Sequence, residues 1–526
     1  MELSRRDMLK LGLLGSAAIA LPLERAARGA LLADRIPESE LPAPFQVQLG
    51  VPPVLQPVRR NATTDYYMLT MRYAQQNILP GFPSTGIFGY NGITPGPTIK
   101  ATRNRPVVVR HINQLPARHP LLGYQDTTSV HLHGNASQPQ FDGWAEDLTP
   151  PGFYKDYIWP NEQEARTLWY HDHAVMHTSE NVYMGLAAFY ISNDPNVKLP
   201  LPKGKYDVPL MISDKIFAQD GSLIYDESGV DFDAEHDSLF GDVILVNGKP
   251  WPTMKVERRK YLFRFLNASP SRSYELRLSS REPFTVVATD GGLMPAPQQV
   301  ETFRLGMAER YGVVIDFEKY EIGDKVVLQN LGLDRNNPVF NSTRQIMRFD
   351  VTRNAATLNN NKVPAVLNTS TDPFNPMRLT EADAVRTRDW LFARDGGDWT
   401  INGQRWDANR TDANPALGDV EIWRFINRSG GWFHPIHPHL IDFKVLDRDG
   451  DPPFAYERGP KDVVYAGEEE TIRVIARFGP RIGKYMMHCH NLVHEDTDMM
   501  TNFEVGSGGP HPSLTAPAQP LPAPPL

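Results

Sequence analysis

Short runs in which apolar and polar residues alternate recur along most of the chain. Residues 66–71 (YYMLTM) and 106–110 (PVVVR) are two examples, and Pro, Gly or Asn residues separate such runs. Alternation with a period of two is typical of a β-strand with one buried face, and the separating residues favour turns. The pattern therefore predicts an all-β protein built from many short strands.

The chain length and two breaks in this pattern predict three domains. A chain of 526 residues is too long for one ordinary hydrophobic core. Residues 194–204 and 353–376 are polar and turn-prone, which makes them the best candidate linkers. Residues 241–251 (GDVILVNGKPW) also resemble 398–404 (DWTINGQ), as repeated domains would. The predicted β-sandwich domains are 45–195, 205–355 and 380–505.

The two ends of the chain differ in composition from the rest. Arg5 and Arg6 precede an apolar stretch at 11–23, which predicts that residues 1–30 are a twin-arginine export signal. That stretch is too short to cross a membrane comfortably, and no later run approaches the roughly 18 apolar residues that a span requires. We therefore expect a periplasmic or extracellular protein without a membrane span. The tail at 506–526, dominated by Pro, Ala, Ser and Gly, is predicted to be disordered.

Charge limits the kinds of partner to be expected, and cysteine content limits the possible roles of the one thiol. The chain carries 54 basic and 62 acidic residues, a net charge of −8, without long blocks of like charge. This gives no reason to expect nucleic acid or an anionic membrane as a partner, and we expect a monomer that acts on a small molecule. The single cysteine, Cys489, cannot form an intramolecular disulfide, so its role must be another one.

Ten of the fifteen histidines fall into four short clusters. Side chains two residues apart on a strand project to the same face, so each His-x-His pair can direct two imidazoles to one place. Imidazole suits copper, zinc or iron. The clusters are His131 and His133; His171 and His173; His434, His437 and His439; and His488, His490 and His494. We expect the other five, His111, His119, His177, His236 and His511, to be core or surface residues.

The position of Cys489 favours copper among these metals. This residue lies between His488 and His490 and therefore points to the opposite face of the strand. There His434, His494 and the thioether of Met499 can complete a His₂Cys site with a weak axial Met, which is the blue-copper arrangement. Zinc sites do not use a thiolate together with a thioether. The sequence thus predicts two metal sites joined through adjacent residues.

These four motifs, in this order and spacing, resemble those of the multicopper oxidases, especially bilirubin oxidases and laccase-like spore-coat oxidases. Residues 141–147 (FDGWAED), 165–170 (ARTLWY) and 491–496 (NLVHED) are also similar, and the resemblance covers most of residues 45–505. It implies three cupredoxin-like Greek-key β-sandwich domains and four copper ions.

The resemblance also implies a role for each ligand. Type 1 copper is expected at His434, Cys489, His494 and Met499, and type 2 copper at His131 and His437. The type 3 pair is expected at His133, His171, His173, His439, His488 and His490. Since these motifs lie in the first and third predicted domains, the trinuclear cluster is expected at the interface between them.

Three further residues match functional positions of the resembling proteins. Asp142 and Glu495 correspond to carboxylates near the trinuclear site, where they can orient ligands and relay the protons that O₂ reduction consumes. Trp432, two residues before His434, corresponds to a tryptophan beside the type 1 site of bilirubin oxidases. There it can stack on a planar donor or tune the copper through packing.

The predicted activity is oxidation of an organic donor, a bilirubin-type tetrapyrrole or a phenol, coupled to reduction of O₂ to water. A cuprous-ion oxidase for copper tolerance is an alternative, although residues 358–393 hold only one methionine, Met377, where such proteins often carry many. A non-catalytic cell-envelope protein on the same fold is the other alternative, but all twelve expected ligands are present. A two-domain nitrite reductase lacks the His-Cys-His bridge and has a different chain length.

Overall fold

The computed structural model of the protein describes residues 34–120, 123–226, 237–333 and 337–526. These residues form thirty-one strands and two short α-helices, α1 (Thr178–Met184) and α2 (Leu492–Asp496), so the all-β prediction is confirmed. The predicted export signal at 1–30 and His236 lie outside the described residues. Among the described residues, no helix has the length and apolar character needed to cross a membrane.

The first sandwich consists of two sheets that share one apolar core. One sheet contains β1 (Arg59–Arg60), β2 (Asp65–Gln76), β3 (Thr85–Tyr90), β5 (Val107–Gln114), β7 (Phe153–Trp159) and β31 (Gln519–Pro520). The other contains β4 (Ile99–Thr102), β6 (Val130–His133), β8 (Thr167–Asp172) and β9 (Ala187–Asn193). Leu69 and Val109 from the first sheet meet Leu132 and Tyr170 from the second in this core.

The second sandwich follows the same plan. One sheet contains β10 (Asp207–Lys215), β11 (Val243–Val246), β12 (Lys249–Pro250), β14 (Lys260–Asn267), β16 (Phe284–Thr289), β17 (Gly292–Val300) and β19 (Arg310–Asp316). The other contains β13 (Thr253–Arg258), β15 (Tyr274–Leu278), β18 (Thr302–Leu305), β20 (Lys325–Asn330) and β21 (Gln345–Asn354). Phe263 and Phe349 pack between the sheets with ring centroids 5.0 Å apart.

The third sandwich carries two of the four histidine clusters. One sheet contains β22 (Arg386–Asp395), β23 (Asp398–Ile401), β24 (Val420–Arg428), β26 (Phe443–Arg448) and β28 (Thr471–Arg477). The other contains β25 (His434–Pro438), β27 (Val464–Ala466), β29 (Gly483–Cys489) and β30 (Met500–Val505). Phe425 and Val474 from the first sheet share a core with Ile436 and Phe503 from the second.

The three sandwiches repeat one topology. The pairs β2/β5, β10/β14 and β22/β24 are all parallel, so each pair needs a crossover connection. Each sandwich also has an Asn-Gly turn with both residues at positive φ, as a tight hairpin turn requires. The turns are Asn91 and Gly92, Asn247 and Gly248, and Asn402 and Gly403. In each, the Asn side-chain oxygen accepts from a neighbouring strand, at 3.0, 2.9 and 2.7 Å respectively. The short sequence repeat therefore reflects a structural repeat.

The C-terminal tail was predicted to be disordered, but part of it forms a strand in the structure. Gln519 and Pro520 pair antiparallel with Tyr154 and Phe153, so that β31 extends the outer sheet of the first sandwich. The amide of Leu521 also donates to the carbonyl of Gly152 at 3.0 Å. Composition alone was misleading because the open edge of β7 offers hydrogen-bonding groups that a Pro-rich segment can still use.

Candidate metal centre

Two antiparallel strand pairs carry the four histidine clusters. In the first sandwich β6 lies beside β8, with His131 opposite His171. In the third sandwich β25 lies beside β29, with His437 opposite His488. The alternation of side chains along these strands directs the imidazoles to one side. Three further histidines, His173, His439 and His490, come directly after β8, β25 and β29.

Eight imidazoles form one buried cluster between the first and third sandwiches. The rings of His131 and His439 stack with centroids 3.9 Å apart. The Nε2 atom of His488 lies 3.2 Å from the Nε2 atoms of both His173 and His439. Two lone pairs cannot face each other at this distance, so a proton or a cation must lie between such nitrogens. The members are His131, His133, His171, His173, His437, His439, His488 and His490.

The hydrogen bonds of these rings fit metal ligation. The Nδ1–H groups of His131 and His437 donate to the carbonyls of Asp142 and Asp462 at 2.5 and 2.7 Å, which leaves each Nε2 free. Burial lowers the pKa of His437 to about 3, so its ring is neutral and offers a lone pair. Among the described residues, the ring atoms without a hydrogen-bond partner include Nε2 of His131, His171 and His437, Nδ1 of His133 and His173, and both nitrogens of His490.

A second set lies on the other side of β29. The Nδ1 atom of His434 lies 3.2 Å from the Sγ atom of Cys489, and that of His494 lies 3.7 Å from it. Burial raises the pKa of the Cys489 thiol well above its usual value, so a bound cation is needed to hold it as a thiolate. Met499 is buried in the hydrophobic core that also contains Cys489, and its carbonyl accepts from the Cys489 amide at 3.1 Å. These donors suit copper.

Strand β29 joins the two sets. His488 points into the imidazole cluster, whereas Cys489 points to the His434 side. Consecutive Cα atoms are about 3.8 Å apart. An electron that reaches the sulfur of Cys489 therefore has a short path of covalent bonds to the imidazole cluster.

Asp142 and Glu495 lie at the imidazole cluster, on different rings. The Nδ1–H group of His439 donates to Oδ2 of Asp142 at 2.7 Å, and burial raises the pKa of Asp142 well above its usual value. Oε2 of Glu495 lies 2.8 Å from Nδ1 of His488. Burial alone raises the pKa of Glu495, but His488 and His173 lower it to about 2. The pKa values of the two carboxyl groups are thus shifted in opposite directions.

Trp432 is buried, with only 6% of its surface exposed. It meets the ring of His494 edge-on, with centroids 5.4 Å apart. An indole that is covered in this way has no face to offer to a donor, so the structure supports packing around the His434 and Cys489 set and not the expected stacking. Trp399 is the indole that stacks on His494, with centroids 3.8 Å apart. No sequence pattern indicated this contact, because Trp399 lies far along the chain from His434 and His494.

The remaining histidines stay outside both sets. His111 and His119 are buried and His511 is exposed, as expected for core and surface residues. His177 is partly exposed and stacks on Tyr124, with centroids 4.0 Å apart. Among the described residues, none of these four belongs to a group of side chains arranged to hold a metal.

Two residues at the imidazole cluster were missed by the sequence analysis. Asp462 lies beside His133 and His437, and Arg310 of the second sandwich pairs with Asp462. Neither belongs to a histidine motif, and no spacing rule links them to one. Only the assembled fold brings them there.

Comparison with known proteins is consistent with this geometry. Three sequence models, each described as multicopper oxidase, match residues 71–197, 201–361 and 330–509. The bilirubin oxidase of Albifimbria verrucaria is 42% identical over 485 residues, which cover 87% of this chain and 81% of that protein. The laccase of Bacillus stratosphericus is 38% identical over 88% of this chain and 99% of its own length.

A solved structure shows the same fold. The laccase of Pediococcus acidilactici superimposes with a TM-score of 0.76 at 28% identity, over 89% of this chain and 95% of that one. The prediction of three cupredoxin-like sandwiches is therefore confirmed.

Proposed function

The chain belongs to the multicopper oxidase family, and on that premise we propose that it oxidises an organic donor in one-electron steps and reduces O₂ to water. The observation that carries this proposal is the junction at β29. There the consecutive residues His488, Cys489 and His490 join the eight-imidazole cluster to the buried thiolate set, which consists of His434, Cys489, His494 and Met499. A site that accepts electrons from a donor and a separate site that passes them to O₂ need such a link.

Four copper ions complete the proposal. Type 1 copper would be held by His434, Cys489, His494 and Met499, and type 2 copper by His131 and His437. The type 3 pair would be held by His133, His171, His173, His439, His488 and His490. Bound copper supplies the one-electron redox chemistry that the amino acids lack. The chain itself orients the rings through the carbonyls of Asp142 and Asp462 and excludes water from both sets.

Asp142 and Glu495 are proposed to supply and position protons. Oδ1 of Asp142 is buried without a hydrogen-bond partner among the described residues, and the raised pKa favours a proton on this carboxyl group. The lowered pKa of Glu495 favours its ionised form, and this carboxylate can receive protons and orient His488. Two carboxyl groups with opposite pKa shifts suit a relay, because one can give and the other can accept.

The proposed donor is a bilirubin-type tetrapyrrole or a phenol. Support comes from the relatives, which are named bilirubin oxidase and laccase. The ring of His494 is buried; its Nε2–H group donates to the carbonyl of Asp237 at 2.8 Å, and Trp399 covers its face. The partly exposed Arg394 lies over Trp399, with its guanidinium carbon 4.8 Å from the ring centroid. A planar donor can contact the exposed part of Arg394 at this place.

Oxygen uptake with three donors tests the proposal. Bilirubin, a phenol and Cu(I) would be supplied side by side to protein whose copper content has been measured. We expect higher kcat/KM for bilirubin and the phenol than for Cu(I). Faster oxidation of Cu(I) would favour the cuprous oxidase, and no uptake with any donor from copper-loaded protein would favour a non-catalytic role.

Export through the twin-arginine route is also proposed, with a periplasmic or extracellular final location. Changing Arg5 and Arg6 together to Lys should retain the protein in the cytoplasm. The matched control changes Arg25 and Arg28 to Lys, which removes the same groups from outside the arginine pair. Normal export of the Arg5 and Arg6 variant would contradict this route.

A further inference from the structure

Arg310 connects all three sandwiches at one buried point. Its side chain is 1% exposed, and each of its five N–H groups has a partner. Nη1 and Nη2 donate to the two carboxylate oxygens of Asp462 in the third sandwich, at 2.6 and 2.5 Å. Nε donates at 3.0 Å to the carbonyl of Thr167, on the strand that carries His171. The carbonyls of Ala308 and Asp290, in the second sandwich, accept the remaining two N–H groups.

Asp462 in turn holds two rings of the imidazole cluster. Its carbonyl accepts from Nδ1 of His437 at 2.7 Å. Its Oδ1 atom lies 3.3 Å from Nε2 of His133, while Nδ1 of His133 has no partner among the described residues and is free to bind metal. Both carboxylate oxygens accept from Arg310, and Asp462 contacts each ring at the nitrogen opposite the one left free to bind metal. The same residue thus orients a proposed type 2 ligand and a proposed type 3 ligand.

We infer that Arg310 and Asp462 are positioning residues for the trinuclear centre, through which the second sandwich fixes the orientation of His133 and His437. This inference rests on the proposed function. None of the predicted copper ligands lies in the second sandwich. Its direct hydrogen bonds to Asp462 come from the guanidinium of Arg310, which holds the carboxylate, and from the carboxylate of Asp290, which accepts from the backbone amide at 3.3 Å.

A fork of two parallel hydrogen bonds makes Arg310 hard to replace. The planar guanidinium fixes the plane of the Asp462 carboxylate as well as its distance, whereas the single ammonium of Lys fixes only a distance. With Lys at position 310, Asp462 keeps a cation beside it but is free to rotate away from His133. Loss of a partner that orients a metal-binding histidine weakens metal binding by about 10- to 100-fold.

The test compares two buried forks in the copper-loaded enzyme. Arg310→Lys and Asp462→Asn are the test variants. Arg448→Lys is the matched control, because Arg448 is also buried and forms a fork with Glu457, but its other partners are Glu470 and the carbonyl of Tyr465. Three quantities are measured: the type 2 signal in electron paramagnetic resonance, the blue absorption of type 1 copper, and copper loss to a chelator.

We expect Arg310→Lys and Asp462→Asn to change the type 2 signal and to lose that copper to chelator about 10- to 100-fold more readily, with the blue absorption retained. Arg448→Lys should leave the type 2 signal as in the wild type. An unchanged type 2 signal in both test variants would overturn the inference. Equal loss of type 1 and type 2 copper would overturn it too, since the pair would then only hold the fold together. A wild-type enzyme without any type 2 signal would instead contradict the proposed function.

Discussion

At the scale of single residues, Cys489 carries the most specific prediction. Its side chain is the only thiol in the chain, and the sulfur lies 3.2 and 3.7 Å from two imidazole nitrogens. Serine cannot replace it, because a hydroxyl group is a harder ligand with a much higher pKa. Cys489→Ser should lose the blue absorption and nearly all activity, while copper stays at the imidazole cluster. Absorption spectra and copper analysis check this, and a blue, active variant would show that the assignment is wrong.

Asp142 and Glu495 are predicted to affect the oxygen reaction without binding metal. Asp142→Asn and Glu495→Gln keep the size of each side chain but remove its titration. Both variants should keep their copper and the normal rate of type 1 reduction, and reoxidation by O₂ should slow by about 10²- to 10⁴-fold. Stopped-flow reduction and reoxidation separate the two steps. Loss of copper without a separate defect in reoxidation would mean that the carboxylate is structural.

Burial changes what is expected of Trp432. Since the indole is covered and meets His494 edge-on, Trp432→Ala should leave a cavity beside the proposed type 1 site, at a cost of about 3–5 kcal/mol in the free energy of unfolding. The turnover of bilirubin and of a small outer-sphere donor should then fall by similar factors. Steady-state O₂ consumption with both donors measures this. A loss confined to bilirubin would restore the direct stacking role.

The sequence was enough to find the candidate ligands but not the groups that hold them. His131 and His133 could be found because the period of a strand puts both side chains on one face. Arg310 and Asp462 are 152 positions apart, and Asp462 reaches His133 across 329 positions. No local pattern encodes such contacts, so they became visible only when the three sandwiches were assembled.

At the scale of elements, the strands were predictable and the tail was not. The alternation in residues 66–71 corresponds to β2, in which Tyr67, Leu69 and Met71 are buried. The tail composition indicated disorder, yet Gln519 and Pro520 extend the sheet at β7. A strand edge elsewhere in the chain decides this outcome, and composition does not report it.

Removal of residues 518–526 tests the role of the tail. Its main contacts are the pairing with β7, the bond from Leu521 to Gly152 and a bond from Arg110 to the carbonyl of Pro524. At about 1 kcal/mol for each hydrogen bond, the loss should be on the order of 2–4 kcal/mol in the free energy of unfolding. Denaturant unfolding of the truncated and full-length proteins measures it, with copper content as the control. An unchanged midpoint would mean that the tail adds no stability.

At the scale of the whole molecule, the imidazole cluster is shared between the first and third sandwiches. Arg310 of the second sandwich donates hydrogen bonds to both of them, at Thr167 and Asp462. The thiolate set lies wholly within the third sandwich. Electrons would therefore be taken up in one sandwich and used at its boundary with another. This arrangement fixes how many donor electrons each O₂ molecule consumes.

The ratio of donor oxidised to O₂ consumed tests this electron path. The copper-loaded enzyme would be supplied with a one-electron donor in a closed cell, with an oxygen electrode and a peroxide assay read together. Transfer of all electrons to the shared imidazole cluster predicts four donor molecules oxidised per O₂ and no hydrogen peroxide. A ratio of two with stoichiometric peroxide would contradict the account, because the two sets would then not act as one electron path to water.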